Sequence, residues 1–240
     1  MIDESYDFYP GRILAKKYEV IERVGESSDG EIYRLHERAT GIERTAKFFF
    51  PHVDPYNRRM AAHAKRLNKL SHCRILSRYR TQETIQVKGD QVTFFVSDFT
   101  SGQLLSDYLA EKPSKRLGEF EALHLIYAIT KGVEDLHRLG ETHGAIDIDN
   151  ILVKRQGLGF AVKLLDIPLH TDARNRCERL RDDVCDIIRV FYDLLGGSRY
   201  YSKQRREIKS IVCGLRKSLI IEKFRDAGKL RMHLEGLDWQ

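Results

Sequence analysis

Several features that assign a chain to a specialised class are scarce or missing in this sequence. Its 240 residues include only four cysteines, scattered without a C-x-x-C pair. We therefore predict free thiols in a reducing cytosol rather than a zinc site or a disulfide framework. No apolar run approaches the ~20 residues that cross a bilayer, so we expect no membrane association. The acidic start, MIDESYDFYPG, lacks an apolar segment, which predicts a cytoplasmic protein without a secretory signal.

The composition is that of a soluble globular protein, with 42% hydrophobic and 32% charged residues. The net charge is +6 and the pI is about 9.1. The positive charges gather in two clusters, between Arg58 and Arg80 and between Lys203 and Lys217. Such clusters favour an acidic partner. Each cluster could bind nucleic acid or an acidic protein, but aromatic residues that could stack on bases are sparse in both, which favours solvated faces of helices as the interpretation.

The first hundred residues predict a small antiparallel sheet with one helix. Turn signals at Asp29-Gly30 and Thr40-Gly41 separate three strands over 18–25, 31–38 and 42–50. Asp54-Pro55 predicts a helix start, with Asp54 as the N-cap and the helix continuing to about residue 70. Two further alternating segments enclose Lys88-Gly89-Asp90 and predict a hairpin.

After Gly102 the hydrophobic period changes from strand-like to helical. Leucines at 104, 105 and 109 predict a short helix, and apolar residues from Leu123 to Leu136 predict a longer one ending near Gly140. The largely apolar stretch from 184 to 197 predicts a buried helix. Residues beyond Tyr200 predict basic helices.

The stretch THGAIDIDNILV, Thr142 to Val153, resembles the protein-kinase catalytic loop H-R-D-x-x-x-x-N followed by a strand. Five more segments resemble kinase motifs in the same order along the chain. The resemblance implies an α+β, bilobal protein-kinase-like fold. Residues 1–98 would form an antiparallel-sheet N-lobe with one helix, and residues 99–240 a compact helical C-lobe, together making one kinase-like domain.

The resemblance also implies a nucleotide site that uses ATP with Mg²⁺ or Mn²⁺. The motif positions that match nucleotide-binding residues are Gly25, Ser27 and Gly30 in the glycine-rich loop, Lys47 in the third strand, and Asp98 and Thr100 in the hinge. The positions that match metal ligands are Asn150 and Asp166. Ser27 stands in place of the middle glycine, so its Cβ narrows the approach to phosphate.

Several positions that carry chemistry in the resembling family are altered here. Ala145 stands at the catalytic-base position and His63 at the helical glutamate position, and no acidic residue lies nearby on that helix. Only sixteen residues separate Asp166 from Asp183, which is short for an activation segment. The sequence is therefore similar to a pseudokinase, a catalytically impaired domain that acts as a protein-binding or allosteric module and retains some ATP binding.

Two alternatives stay open from the sequence. Asp147 is a candidate displaced base, which would make the chain an unconventional kinase or nucleotidyl transferase. The basic helix near Arg58 would instead suit a nucleic-acid-binding module. Under the leading hypothesis the partner is a protein, and the arginine-rich loop from Arg174 to Arg181 is the predicted docking surface for acidic groups.

Overall fold

The computed structural model describes residues 5–27, 29–54, 56–165, 167–168 and 175–237. The chain divides into two compact units. The first unit comprises Met1–His72 and Ser77–Thr100, and the second comprises Cys73–Leu76 and Ser101–Gln240. The division predicted from sequence, 1–98 and 99–240, remains a prediction.

The first unit is built on a six-stranded antiparallel sheet with the strand order β1-β2-β3-β4-β6-β5. The predicted hairpins are confirmed. At the turn between β5 and β6, Lys88 and Gly89 both have positive φ values, 51° and 96°, as a two-residue hairpin turn requires. The strands are β1 Ile13–Leu14, β2 Tyr18–Ser27, β3 Gly30–Glu37, β4 Glu43–Phe49, β5 Tyr79–Val87 and β6 Asp90–Asp98.

One face of this sheet carries an aromatic core that the N-terminal segment completes. Tyr6 and Phe8 pack on Phe48, with ring centroids 5.6 and 5.0 Å away. The Tyr6 hydroxyl donates to the Phe49 carbonyl at 2.7 Å. Burial, with the Glu31 charge as a lesser cause, raises the pKa of Tyr6 to about 12. The alternating aromatics of SYDFY were a strand-like signal for this packing that the sequence analysis missed.

In the described part of the first unit, the helix α1 Arg58–Lys69 covers the other face of the sheet. The prediction that Asp54 is the N-cap residue is wrong in position, because the helix begins four residues later and its N-cap is Asn57, with φ 54°. The Asp54 carboxylate nevertheless accepts hydrogen bonds from the backbone N–H groups of Arg59 and Met60 at 3.0 and 2.8 Å. The intervening turn brings the carboxylate back to the helix start, and Pro55 lies outside the described residues.

The second unit is mainly helical and includes a small three-stranded sheet of order β7-β8-β9. The helices predicted after Gly102 and up to Gly140 are confirmed, with Gly140 at φ 78°. The strands are β7 Gln103–Leu104, β8 Ile151–Gln156 and β9 Gly159–Leu164. The helices are α2 Leu105–Ala110, α3 Glu119–Arg138, α4 Arg176–Leu194, α5 Ser198–Tyr201, α6 Arg206–Val212, α7 Lys217–Lys223 and α8 Ala227–Glu235.

Helix α4 begins eight residues earlier than the apolar pattern predicts. Asn175 accepts from the backbone N–H of Glu178, whose side chain accepts in turn from the backbone N–H of Asn175, forming a capping box. Within the described residues, the stretch expected to be an arginine-rich loop is therefore helical from Arg176 onward. Arg174 lies outside the described part of the chain.

The four cysteines are free thiols, as predicted. Among the described helices, none combines the length and the hydrophobicity that a membrane crossing requires.

Candidate functional site

In the first unit, Lys47 and two residues aligned with kinase nucleotide-site positions lie on one face of the sheet. Lys47 on β4 pairs with Ile32 on β3 and Phe95 on β6. Thr45, two residues before Lys47, pairs with Ser97. Residues two apart on a strand, and residues directly opposite on paired strands, point to the same side. In the motif alignment Thr45 stands at the small-residue position over the base, and Ser97 stands at the gatekeeper position. Lys47, Thr45 and Ser97 therefore share a surface.

The segment that resembles a glycine-rich loop is a tight hairpin. Gly25 pairs with Ile32 and Ser27 pairs with Gly30, so the β2–β3 ladder continues almost to the tip. The Asp29 carbonyl accepts from the backbone N–H of Phe50 at 2.9 Å, which fastens the tip to the end of β4.

The two outer glycines of this hairpin differ in their surroundings. A Cβ added to Gly30 would lie 1.9 Å from the Phe48 carbonyl oxygen. A Cβ added to Gly25 would meet only Ile32 Cδ1, at 3.9 Å. Packing against β4 thus requires a glycine at position 30 whether or not the hairpin binds phosphate. Position 25, in contrast, has room for a side chain.

Lys47 is buried next to an aromatic and imidazole environment. Its Nζ lies 5.4 Å from the centroid of the Phe49 ring. The buried His63 of α1 packs on the same ring at 6.3 Å and on Phe95 at 5.1 Å. Helix α1 therefore presents position 63 toward the neighbourhood of Lys47, as the motif alignment predicts. Because α1 contains no acidic residue, it has no carboxylate to pair with the lysine.

The hinge candidates Asp98 and Thr100 have side-chain partners of their own. Arg80 donates two hydrogen bonds of 2.7 Å to the Asp98 carboxylate, and Arg44 donates a third of 2.6 Å. Although burial opposes ionisation of Asp98, these guanidinium groups hold its pKa below its usual range. The Thr100 hydroxyl lies 3.4 Å from that of Ser77. Hydrogen bonds from positions 98 and 100 to a nucleotide base would therefore come from their backbone groups. This role remains a prediction.

In the second unit, the start of the loop THGAIDIDN is held by Asp183 of α4. The Asp183 carboxylate is fully buried and accepts from the backbone N–H groups of His143 and Gly144 at 2.8 and 2.7 Å. The kinase resemblance places Asp183 at the position that holds the catalytic-loop backbone, and these contacts confirm that role.

A second histidine completes the contacts to Asp183. His137 Nε2 lies 3.0 Å from the carboxylate, and His137 Nδ1 accepts from the backbone N–H of Ala227 at 3.3 Å. Because Nδ1 is an acceptor, the proton of the neutral ring lies on Nε2 and is donated to Asp183. The network joins α3, the loop, α4 and α8.

The end of the same loop carries the positions expected to do chemistry. Ala145, at the base position, offers only its carbonyl, which accepts from Asn150 Nδ2 at 3.2 Å. The exposed Asp147 caps the 3-10 turn Ile148–Asn150, where its Oδ1 accepts from the backbone N–H of Asp149 at 3.0 Å. Asp147, the carboxylate nearest to the base position in sequence, thus has a local structural role.

The negative charge of Asp147 contributes to the raised pKa values of two carboxylates on helix α4. Burial first, and then the neighbouring carboxylates of Asp183, Asp182 and Asp147, raise the pKa of Asp186 to about 7. Burial also raises the pKa of Asp193, with Asp147 adding to the effect. Asp186 lines a cavity of about 340 Å³ between the loop, α4 and α7.

The predicted metal ligands are only partly described. Asn150 lies in the second unit, where its amide nitrogen donates to the Ala145 carbonyl. Asp166 lies outside the described residues. In the ranges that the structure describes, no group of three or more His, Cys, Asp or Glu side chains is arranged to hold a metal ion. The assignment of Asn150 and Asp166 to a metal stays a prediction.

Comparison with known proteins identifies similar chains. The smooth muscle myosin light chain kinase of Gallus gallus is 26% identical over 152 residues, which cover 63% of this chain and 8% of that protein. The cyclin-dependent kinase B2-1 of Oryza sativa subsp. japonica is 26% identical over 195 residues, 77% of this chain and 57% of the relative. The chain thus spans less than two thirds of the length of these relatives.

A solved structure of a Rad53 fragment in complex with AMP-PNP superposes with a TM-score of 0.70. It is 20% identical, and the match covers 91% of this chain and 61% of that one. This likeness supports the predicted α+β kinase-like fold, with its antiparallel-sheet N-lobe and helical C-lobe. The family model described as the protein kinase domain matches residues 18–203. The chain therefore belongs to the protein kinase domain family.

Proposed function

We propose that this chain is a pseudokinase domain, a kinase-family member with impaired phosphoryl transfer that acts by binding a protein partner and retains some nucleotide binding. The observation that carries the proposal is the absence of a carboxylate at position 145. A positioned general base typically contributes ~10²–10⁴ in rate. Ala145 offers only a carbonyl already hydrogen-bonded to Asn150.

The alternative of a displaced base at Asp147 has less support. Its carboxylate accepts from the Asp149 backbone, and its charge acts on Asp186 and Asp193 of α4. A base must lie within hydrogen-bond reach of the acceptor hydroxyl. Asp147 is exposed, caps a turn and interacts electrostatically with the carboxylates of α4, so it is poorly placed for that task. We therefore do not propose an active kinase or a nucleotidyl transferase.

The residues of the first unit fit a nucleotide. Lys47 would bind its phosphates, while Thr45 and Ser97, neighbours on the same face, would lie over and beside the base. In the Rad53 structure a kinase-family chain is in complex with AMP-PNP. When bound, ATP with Mg²⁺ or Mn²⁺ would supply a transferable phosphoryl group. Helix α1 supplies no carboxylate to orient Lys47 toward that group, which favours weak to moderate affinity.

A thermal-shift titration with ATP tests this proposal, with and without Mg²⁺ or Mn²⁺. We expect the wild type to gain stability on addition of ATP and Lys47→Ala to lose most of that gain. Lys65→Ala is the matched control, because it removes one positive charge from the exposed side of α1.

The same samples, assayed with labelled ATP and a general peptide substrate, report on transfer. Transfer near the 1–100 s⁻¹ typical of kinases would contradict the impaired-kinase proposal. If ATP gives no thermal shift in any condition, the proposed nucleotide binding is wrong. The proposed impairment of phosphoryl transfer is not affected by that result. The two parts of the proposal therefore fail separately.

A further inference from the structure

Another cavity of the second unit is not used by the proposed function. It has a volume of about 900 Å³ and is open to solvent. One wall is the connection between α2 and α3, residues 113–115, and the other runs from the end of α4 into α5, residues 192–200. Cavities of this size bind small molecules or single side chains of a peptide.

The two walls of this cavity are fixed to each other. The Leu117 N–H donates to the Leu194 carbonyl at 2.7 Å, which joins the α2–α3 connection to the end of α4. The Arg116 guanidinium carbon lies 4.2 Å from the centroid of the Tyr200 ring. A Cβ added to Gly196 would lie 2.5 Å from Tyr200 Cδ2 and 3.1 Å from Arg116 Cδ, so the packing requires glycine there. The cavity is therefore formed in advance, which lowers the conformational cost of binding a ligand.

Both walls contain backbone that is unusual for its residue type. Lys115 has φ 49°, in the left-handed region that non-glycine residues seldom occupy. Gly197 has φ 60° and ψ −147°, close to a region that is essentially restricted to glycine. Residues in such conformations cluster at active sites and ligand clamps.

The two cations of the cavity have no anionic partner in the part of the chain that the structure describes. Lys115 and Arg199 are both exposed, and they line opposite walls. Neither side chain makes an ion pair or a hydrogen bond with a described residue. The Arg199 guanidinium carbon lies 5.6 Å from the centroid of the neighbouring Tyr200 ring. An anion in the cavity would therefore meet two positive charges that no described carboxylate neutralises.

The rest of the lining adds neutral donors and two aromatic rings. Ser114 and Ser198 place one exposed hydroxyl on each wall. Tyr192 and Tyr200 are partly buried, and their rings offer flat apolar surface to the body of a ligand. The cavity thus combines a polar part for an anionic group with an apolar part for the remainder of the molecule.

One carboxyl group, that of Asp193, also lines the cavity. Among the described residues it forms no ion pair with Lys115 or Arg199. Burial raises the pKa of Asp193; Arg189 opposes this shift and Asp147 adds to it. Asp193 therefore ionises less readily than an exposed aspartate, and the two cations outweigh its charge even when it is ionised.

We propose that this cavity binds a phosphate monoester, with Lys115 and Arg199 on the phosphate and Tyr192 and Tyr200 against the rest of the molecule. A phosphate monoester carries about −1.5 to −2 charges near pH 7 and three acceptor oxygens. This matches two cations and two hydroxyl donors on facing walls, and hydrogen bonds to charged groups are the strong ones. A carboxylate has one charge and two oxygens, so it would leave one cation unpaired.

The proposed phosphate site is distinct from the predicted nucleotide site. Every lining residue of the cavity belongs to the second unit, whereas Lys47 belongs to the first. The inference therefore goes beyond the proposed function and is tested separately from it. Phosphoserine on a protein and a free sugar phosphate present the same phosphate chemistry, so the experiment includes both.

The test is calorimetry of the full chain with two probes, a short neutral peptide that contains one phosphoserine, and glucose 6-phosphate. The unphosphorylated peptide and inorganic sulfate are the reference ligands. Lys115→Gln/Arg199→Gln removes both cations of the cavity. The matched control, Arg225→Gln/Lys229→Gln, removes two exposed cations of the same unit that do not line it. We expect the affinity for the bound probe to fall about tenfold or more with the first pair and less than about twofold with the second.

Two further variants separate binding from folding and from the nucleotide site. Asp193→Asn removes the carboxylate that opposes the anion, so we expect several-fold tighter binding, which a folding defect would not produce. Lys47→Ala should leave binding of the probes unchanged. The melting temperature of the Lys115→Gln/Arg199→Gln variant should stay within about 2 °C of wild type, because both side chains are exposed.

The outcomes distinguish the sources of the phosphate and the failure of the proposal. Tighter binding of the phosphopeptide supports a protein-borne phosphoserine, and tighter binding of glucose 6-phosphate supports a free metabolite. The proposal is overturned if neither probe binds below about 10 mM, if sulfate binds as tightly as both, or if the two double variants lose affinity equally. Weaker binding by Asp193→Asn, or loss of binding in Lys47→Ala, would also overturn it.

Discussion

The loop from His143 to Asn150 has two halves that differ in packing. The first half begins at the buried His143 and is fixed by Asp183, which accepts from His143, Gly144 and His137. The second half is more exposed, and its polar groups serve short-range contacts, from Asn150 to Ala145 and from Asp149 to Asp147. The contacts that hold the kinase fold are therefore separable from the positions that would do chemistry. A chain can keep the first set while losing the second.

Replacement of Asp183 should produce the largest effect. Asp183→Ala would leave two backbone N–H groups and His137 without their acceptor in a buried site. We expect a loss of about 4 kcal/mol in the free energy of unfolding, measured by urea denaturation. Asp182→Ala is the control, because it breaks a contact to the exposed Lys217 and should cost less than about 1 kcal/mol. Similar losses for both would mean that the first half of the loop is not held as described.

The outer glycines of the β2–β3 hairpin offer a comparison within the first unit. Gly30→Ala forces a Cβ into the β4 backbone, and we expect about 3 kcal/mol of destabilisation. Gly25→Ala has room and should change stability by less than about 1 kcal/mol. Thermal and urea unfolding of both variants would measure the difference. Equal stability of the two variants would contradict the close approach of β3 to β4.

The raised pKa of Asp186 on α4 predicts that removing its carboxylate stabilises the protein, and that the gain depends on pH. The pKa of Asp186 is raised to about 7 in the folded protein, so the folded state binds more protons than the unfolded state between pH 4 and 7. Stability from this group is therefore lost as pH rises through that window. We expect Asp186→Asn to stabilise the protein by about 2 kcal/mol at pH 8, allowing for solvent screening, and by much less at pH 5. A gain independent of pH would contradict the raised pKa.

Position 63 should give a smaller and more specific effect. His63→Glu would supply a carboxylate from α1, which already presents this position toward Phe49 and Lys47. We expect a several-fold gain in ATP affinity, measured by calorimetry. His63→Gln is the control, since it is polar but uncharged and should not give the gain. An unchanged or weaker affinity for the glutamate variant would mean that the side chain does not reach the lysine.

Much of the fold follows from local patterns in the sequence. The hairpin turns at Asp29-Gly30 and Lys88-Gly89 and the apolar period of α3 predict their elements because the signals are short-range. The start of α4 was missed because the apolar run begins at Val184, although the N-x-x-E capping box at Asn175 was present in the sequence. The start of α1 was misplaced because Asp54 caps the helix from four residues away.

The candidate site was predictable in its motifs but not in its contacts. The matches at Lys47, Asn150 and Asp183 come from residue order, whereas the packing of Tyr6 and Phe8 on Phe48 depends on segments forty residues apart. The ion pairs that engage Asp98 likewise join three strands. No local pattern specifies such pairings, because they form only when the sheet assembles.

The central claim is that the second half of the loop from His143 to Asn150 no longer supports phosphoryl transfer, while the fold persists. Phosphoryl transfer from labelled ATP, compared among wild type, Asp147→Asn and Ala145→Asp, tests it most directly. We predict no transfer above background in wild type or Asp147→Asn, and at most slow transfer in Ala145→Asp, because α1 still lacks its glutamate. Transfer by wild type that Asp147→Asn nearly eliminates would contradict the account and identify Asp147 as the base.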